Sequence, residues 1–85
     1  MTMEKYKNLS GDSSVKAYDI HDQYIVVEFL KANNDGYKFY KYGTQRPGSY
    51  HLQRMKSLAV SGRGLGAYIV TEVGKNYEGR YRNYP

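Results

Sequence analysis

The sequence predicts an α+β domain in which a three-stranded antiparallel meander is followed by two short helices packed on one face of the sheet. Three features indicate this class: alternating apolar segments rich in β-branched residues, an Asp-Gly turn between two of them, and a later stretch with apolar residues at helical spacing. At 85 residues the chain has room for one domain with a small core.

The first two predicted strands are neighbours in the sequence. Val15 to Ile20 forms a short strand that ends at a polar turn, and Tyr24 to Leu30 forms the clearest strand. Ile25, Val27 and Phe29 share one face of the second strand, because side chains alternate along a strand. These three residues are the predicted core of the sheet.

The third predicted strand is Gly36 to Gly43, which contains four aromatic rings and two lysines. The preceding segment, Asn33 to Gly36, contains residues that accept positive φ and predicts a tight hairpin turn. Alternation divides the strand into two sets: Tyr37, Phe39 and Lys41 on one face, and Lys38, Tyr40 and Tyr42 on the other. One set must close the core and only the other can meet a ligand, and the sequence leaves open which.

Two helices are predicted after the sheet. The first runs from about Tyr50 to Ala59, with Gly62 as its terminator. Its apolar stripe consists of Leu52, Met55 and Ala59, with Leu58 at the margin. The stretch Leu65 to Val73 has apolar residues at helical spacing but also strong β propensity, and a short helix is the preferred interpretation.

The domain boundaries are set where these patterns stop. Residues 13–73 contain all of the predicted elements and form the predicted domain. Residues 1–12 lack apolar periodicity and are predicted to be a flexible arm. Residues 74–85 are polar and basic, with tyrosines and arginines interleaved, and are predicted to be a flexible tail.

The positive charge lies in the second part of the chain. Residues 1–35 carry four lysines against six acids, whereas residues 36–85 carry nine lysines or arginines against two acids, which together give the net charge of +5. A basic half favours a polyanionic partner, although a charged face that only keeps the protein in solution is the competing interpretation. The absence of cysteine, of an apolar amino-terminal segment and of a run of about 20 apolar residues predicts a cytoplasmic protein without a membrane anchor.

Five short motifs follow one another along the predicted domain. They are Ser13-Ser14-Val15 at the start of a strand, Ile25-x-Val27-x-Phe29, Tyr40-Lys41-Tyr42, Tyr50 at the start of a helix, and Ser61-Gly62 before Tyr68-Ile69. Their order and spacing resemble the KTSC domain. That family occurs at the carboxyl end of some lysyl-tRNA synthetases and as small stand-alone bacterial and phage proteins, so the resemblance implies a bacterial or phage protein and suggests RNA as a ligand.

The expected ligand is RNA or another single-stranded nucleic acid, because rings can stack on bases while cations follow the phosphates. The residues expected to bind it are Tyr37, Lys38, Tyr40, Lys41, Tyr42, Arg46, Arg54, Arg63, Arg80, Tyr81 and Arg82. The competing interpretation is structural. In that case one pair of rings closes the core and the helices cover the other pair.

The sequence predicts a non-enzymatic protein without a cofactor or metal. His21 and His51 are candidates for acid–base catalysis but nothing brings them together, and Asp19, His21 and Asp22 are too few for a metal site. The segment Gly62 to Gly66 is interpreted as a turn between helices rather than a nucleotide-binding loop. The alternative function is binding to a protein, either a second copy paired through a free edge of the first or third strand, or a host protein.

Overall fold

A computed structural model describes residues 3–11 and 13–84 of the chain. Within these residues, one antiparallel sheet contains five strands in chain order: β1 (Glu4–Lys5), β2 (Val15–Ile20), β3 (Tyr24–Phe29), β4 (Phe39–Gly43) and β5 (Gly79–Tyr81). The helices lie between β4 and β5: α1 (Ser49–Ser61), α2 (Leu65–Tyr68) and a π-helix (Ile69–Val73) that continues α2. The α+β class, the antiparallel sheet and the helices are confirmed.

The prediction of a three-stranded sheet is wrong, because each predicted flexible end supplies a strand. β1 pairs with β2 and β5 pairs with β4, so both edges of the predicted sheet are covered. Tyr6 follows β1 and is buried, and its hydroxyl accepts a hydrogen bond of 3.1 Å from the Leu65 amide. Strands of two and three residues are too short to show an alternating pattern, since such a pattern needs about four residues or more.

The sheet register decides which side chains meet the helices. Residues that lie opposite each other in an antiparallel pair point to the same side. Ile25 lies opposite Tyr42 and Val27 lies opposite Tyr40, and all four contribute to the face that packs on the helices, here called the helix face. The other face, here called the outer face, carries Tyr24, Val26, Glu28, Phe39 and Lys41.

An irregularity in β2 changes the side on which its residues lie. The pairing of β2 with β3 shifts between Val15 and Ala17. Val15 lies opposite Phe29 on the helix face, whereas Asp19 lies opposite Val26 on the outer face. Asp19 is nevertheless buried, with 9% of its surface exposed.

The core fills the space between the helix face and the helices. Its α1 contribution is Leu52, Met55 and Ala59, as the apolar stripe predicts. Gly62 ends α1 in the left-handed conformation, with φ 78, and its amide donates to the Ala59 and Leu58 carbonyl oxygens. Among the described residues, no helix has the length and apolar character to cross a membrane.

Candidate functional site

A groove of about 870 Å³ opens at one end of the helix face. One wall is formed by residues 30–35 of the β3–β4 connection, and the other by Ile69, Val70 and the segment that follows the π-helix. The floor between these walls is aromatic. It consists of Phe29 from β3, Tyr40 from β4 and Tyr77, which lies just before β5. The groove therefore depends on two segments that lie about 40 residues apart in the sequence.

The first wall is held by a hydrogen-bonded turn. The Asn33 side-chain oxygen accepts hydrogen bonds from the Asp35 amide at 3.0 Å and from the Tyr37 amide at 2.9 Å. Gly36 takes a φ of 86, which a side chain would disfavour. These contacts form a turn at the predicted residues, but the connection is longer than a tight hairpin, because β3 ends at Phe29 and β4 begins at Phe39 rather than at Gly36.

Aromatic rings in edge-to-face contact form the groove floor. The Tyr40 ring centroid lies 5.4 Å from that of Phe29 and 5.1 Å from that of Tyr77. All three rings are half-buried and pack against the core. Because packing fixes their orientation, Tyr40 and Tyr77 present rigid aromatic surfaces to the groove.

Tyr37 is already engaged by two arginines. The guanidinium carbon of Arg80 lies 4.2 Å from the Tyr37 ring centroid, and that of Arg82 lies 4.4 Å away. Arg82 also donates from Nε to the Asp35 carbonyl oxygen at 3.0 Å. The Tyr37 ring therefore serves to position cations at the groove by cation–π attraction, rather than offering a free face.

The groove is positively charged. Its lining contains Lys31, Lys75 and Arg80 against the single acid Asp35. The ion pairs within residues 3–11 and 13–84 involve none of these three cations. Their charge is therefore available to an anionic ligand, and long-range attraction would favour its approach.

Three of the predicted site residues do not reach the groove. Lys41 and Tyr81 lie on the outer face, and the Lys41 amine is 3.9 Å from a carboxylate oxygen of Glu78. The Lys38 amine is 3.4 Å from the Glu28 carboxylate, which Lys16 also contacts. These acids offset the positive charge, so the outer face is a weaker site for an anion than the groove.

The remaining predicted arginines are spread over other surfaces. Arg46 follows β4 and donates from Nε to the Asn76 side-chain oxygen at 3.0 Å. Arg54 lies on α1, with its guanidinium carbon 5.9 Å from the Tyr68 ring centroid. Arg63 is exposed in the connection between α1 and α2. None of the three lines the groove. From the predicted set, the groove lining contains Tyr37, Tyr40, Tyr42 and Arg80, and Arg82 lies against the Tyr37 ring.

Tyr42 borders the groove but belongs to the core, so burial disfavours the expected role of Tyr42 as a ligand contact, which stays a prediction. It lies on the helix face opposite Ile25, with only 2% of its surface exposed. A base therefore cannot stack on its ring. Burial, together with the neighbouring Tyr40 and Tyr77 hydroxyls, raises the pKa of Tyr42 well above its ordinary value.

This raised pKa predicts a loss of stability at alkaline pH. The folded state keeps the Tyr42 phenol protonated, whereas the unfolded state releases the proton above about pH 10. The stabilisation from Tyr42 is therefore full below that pH and is lost as the pH rises towards the pKa of the folded state. Urea titrations at several alkaline pH values measure how the free energy of unfolding falls with pH. In Tyr42→Phe this fall should be smaller than in wild type by up to about 1.4 kcal/mol per pH unit. Tyr50→Phe, at an exposed site, is the control. If the free energy of unfolding fell equally steeply with pH in the two variants, the prediction would be contradicted.

Lys31, Lys75 and Tyr77 line the groove but were missed by the sequence prediction. Lys75 and Tyr77 belong to the segment predicted as a flexible tail, and Lys31 to the predicted hairpin connection. One signal was present. Residues 77–82 repeat the mixture of rings and cations found in residues 37–42, which is the composition expected if two such segments lie side by side.

The two histidines that the sequence offers for acid–base catalysis make separate contacts. His21 Nε2 lies 2.8 Å from Asp19 Oδ2, whereas His51 Nδ1 lies 2.6 Å from the Tyr68 hydroxyl. Each histidine thus has its own partner. In the part of the chain that the structure describes, no three His, Cys, Asp or Glu side chains are grouped to hold a metal ion.

No family model matches the chain, and searches of curated proteins and of solved structures find no significant match. The KTSC resemblance therefore depends on the motif residues alone and stays a prediction. Several of these residues have structural roles: Ser13 Oγ accepts a hydrogen bond from the Val15 amide at 3.1 Å, Tyr42 lies in the core, and Gly62 ends α1.

Proposed function

We propose that this protein is a small, non-enzymatic module that binds single-stranded nucleic acid, RNA above all, in the groove. The observation that carries the proposal is that rigid aromatic rings line the same groove as cations that form no ion pair with any described residue. Tyr40 and Tyr77 supply the rings, and Lys31, Lys75 and Arg80 supply the charge. Single strands need both features, because their bases are free to stack while their phosphates require neutralisation.

The chemistry of the lining favours binding with little sequence preference. Ring faces accept any base, and lysine contacts a phosphate as a point charge. A duplex would keep its bases stacked on one another and would offer the floor no free ring face. The preferred ligand is therefore a short unpaired segment of RNA, in agreement with what the KTSC resemblance suggests.

A protein partner is the second candidate, and the apolar rim of the groove favours it. Leu30 is 53% exposed and Val70 is 76% exposed, and both line the groove. β1 and β5 cover the edges of β2 and β4. A homodimer paired through a long free strand edge is therefore disfavoured. Light scattering on the pure protein tests the homodimer directly, since a monomer at high concentration would exclude it.

The proposed function predicts binding that weakens steeply with salt. A fluorescent oligouridylate of about ten nucleotides should bind, and the slope of log K against log salt should be near −2, because three groove cations would each release about 0.7 of a counterion. Fluorescence anisotropy at several salt concentrations measures both quantities. The same sequence as a duplex should bind more weakly. An absence of binding at low salt, or a slope near zero, would contradict the proposal.

A further inference from the structure

The outer face carries a contact made by Tyr84 of the C-terminal segment. The Tyr84 hydroxyl donates a hydrogen bond of 2.6 Å to Asp19 Oδ2, which also lies 2.8 Å from His21 Nε2. The Tyr84 ring stacks on Phe39, with a centroid distance of 5.7 Å. Through Tyr84, the segment predicted to be a flexible tail thus contacts β2 and β4.

Tyr84 also covers part of the outer face. Together with Tyr24, Val26, Lys41 and Tyr81 it surrounds a cavity of about 280 Å³. Val26 is only 1% exposed, although it lies on the face away from the helices. Aromatic side chains of the C-terminal segment therefore complete a second, smaller apolar cluster on this face.

β5 connects this contact to the groove on the other face. Arg80 lies opposite Tyr40 on the helix face, whereas Tyr81 lies opposite Phe39 on the outer face. β5 has three residues and lies at the edge of the sheet, so its own backbone pairing is weak support. Its position depends on what holds the chain on either side of it.

We infer that Tyr84 and Asp19 are positioning residues for the groove: their hydrogen bond on the outer face fixes β5 and thereby holds Arg80 beside Tyr37. This inference deepens the proposed function and rests on it for the effect on ligand binding. Tyr84 itself cannot touch a ligand in the groove, since it lies on the opposite face of the sheet. Its effect on affinity must therefore pass through β5.

The environment of Asp19 stabilises its hydrogen bond with Tyr84. Asp19 is buried, so a competing water molecule has little access to the carboxylate. Partial burial and the hydrogen bond to Asp19 raise the pKa of Tyr84, so its hydroxyl remains a donor throughout the neutral range. Among the described residues, the His21 ring on the β2–β3 turn and the Tyr84 hydroxyl of the C-terminal segment both contact the Asp19 carboxylate.

Tyr84→Phe tests the inference, because it removes the hydroxyl and keeps the ring that stacks on Phe39. Amide exchange should quicken about three- to tenfold at Lys38, whose amide donates to the Tyr81 carbonyl oxygen at 3.1 Å. The NMR signals of the Arg80 side chain should move away from their ring-shifted positions over Tyr37. Oligouridylate affinity should fall about threefold or more, with a shallower salt slope.

Two controls separate this effect from a general loss of stability. Tyr50→Phe removes a hydroxyl from an exposed site on α1 and should change none of the three measurements. The Leu30 amide, which donates to the Ser14 carbonyl oxygen on the far side of the groove, should exchange at the wild-type rate in Tyr84→Phe.

The outcomes distinguish this inference from the proposed function. If wild-type protein binds no oligouridylate, the proposed function is wrong, and the exchange and Arg80 measurements still decide whether Tyr84 fixes β5. If the wild type binds and Tyr84→Phe leaves Lys38 exchange and the Arg80 signals unchanged, the inference is wrong. Faster exchange with unchanged affinity would also overturn it, because β5 would then not govern the groove.

Discussion

Tyr42→Ala should remove a large part of the free energy of unfolding and leave the protein much less stable than wild type. Tyr42 is 2% exposed and lies in the core among Ile25, Leu52 and Tyr77 on the helix face. Replacing a buried aromatic residue by alanine costs about 3 to 5 kcal/mol, and a small domain has only about 5 to 15 kcal/mol in total. Urea denaturation followed by circular dichroism measures the loss.

The matched control is Tyr50→Ala on the surface of α1. Tyr50 is 73% exposed, so its removal should leave the free energy of unfolding within about 0.5 kcal/mol of wild type. Tyr42→Phe retains the ring and should remain folded, which allows ligand binding to be measured in a Tyr42 variant. A fully stable Tyr42→Ala that fails to bind oligouridylate would show that Tyr42 is a ligand contact and not a core residue.

The parts of the fold that the sequence predicts are those with local patterns. β3 lies within the predicted strand because Ile25, Val27 and Phe29 alternate with the residues between them and show a period of two. The apolar stripe of α1 and its glycine stop are equally local signals. β5 shows neither an alternating pattern nor a terminator residue, because its strand conformation depends on pairing with β4, about 40 residues earlier.

The same limit applies to the candidate site. Alternation divides the rings and cations of residues 37–42 between two faces of the sheet, but the sequence does not say which face the helices cover. Register then decides that Tyr42 faces the core and Lys41 the outer face. Lys31 and Lys75 come from connections whose path only the folded chain defines, so no local pattern could have joined them to Tyr40.

Lys75→Glu should weaken oligouridylate binding about tenfold at about 50 mM salt, and the salt slope should become shallower by about one. Lys75 is exposed on the groove wall, and its amine forms no ion pair within the described part of the chain. Reversing the charge at Lys75 therefore removes a phosphate contact and adds a repulsive charge without disturbing the core. Anisotropy titrations at several salt concentrations give both numbers.

Arg63→Glu is the matched control, because it makes the same change in net charge on the connection between α1 and α2. If the ligand occupies the groove, Arg63→Glu should reduce affinity by less than about threefold, through long-range attraction alone, and should leave the salt slope unchanged. Equal losses for both variants would mean that binding follows net charge rather than the groove. A loss confined to Arg63→Glu would move the interface to the helices, where Arg54 and Tyr68 lie close together.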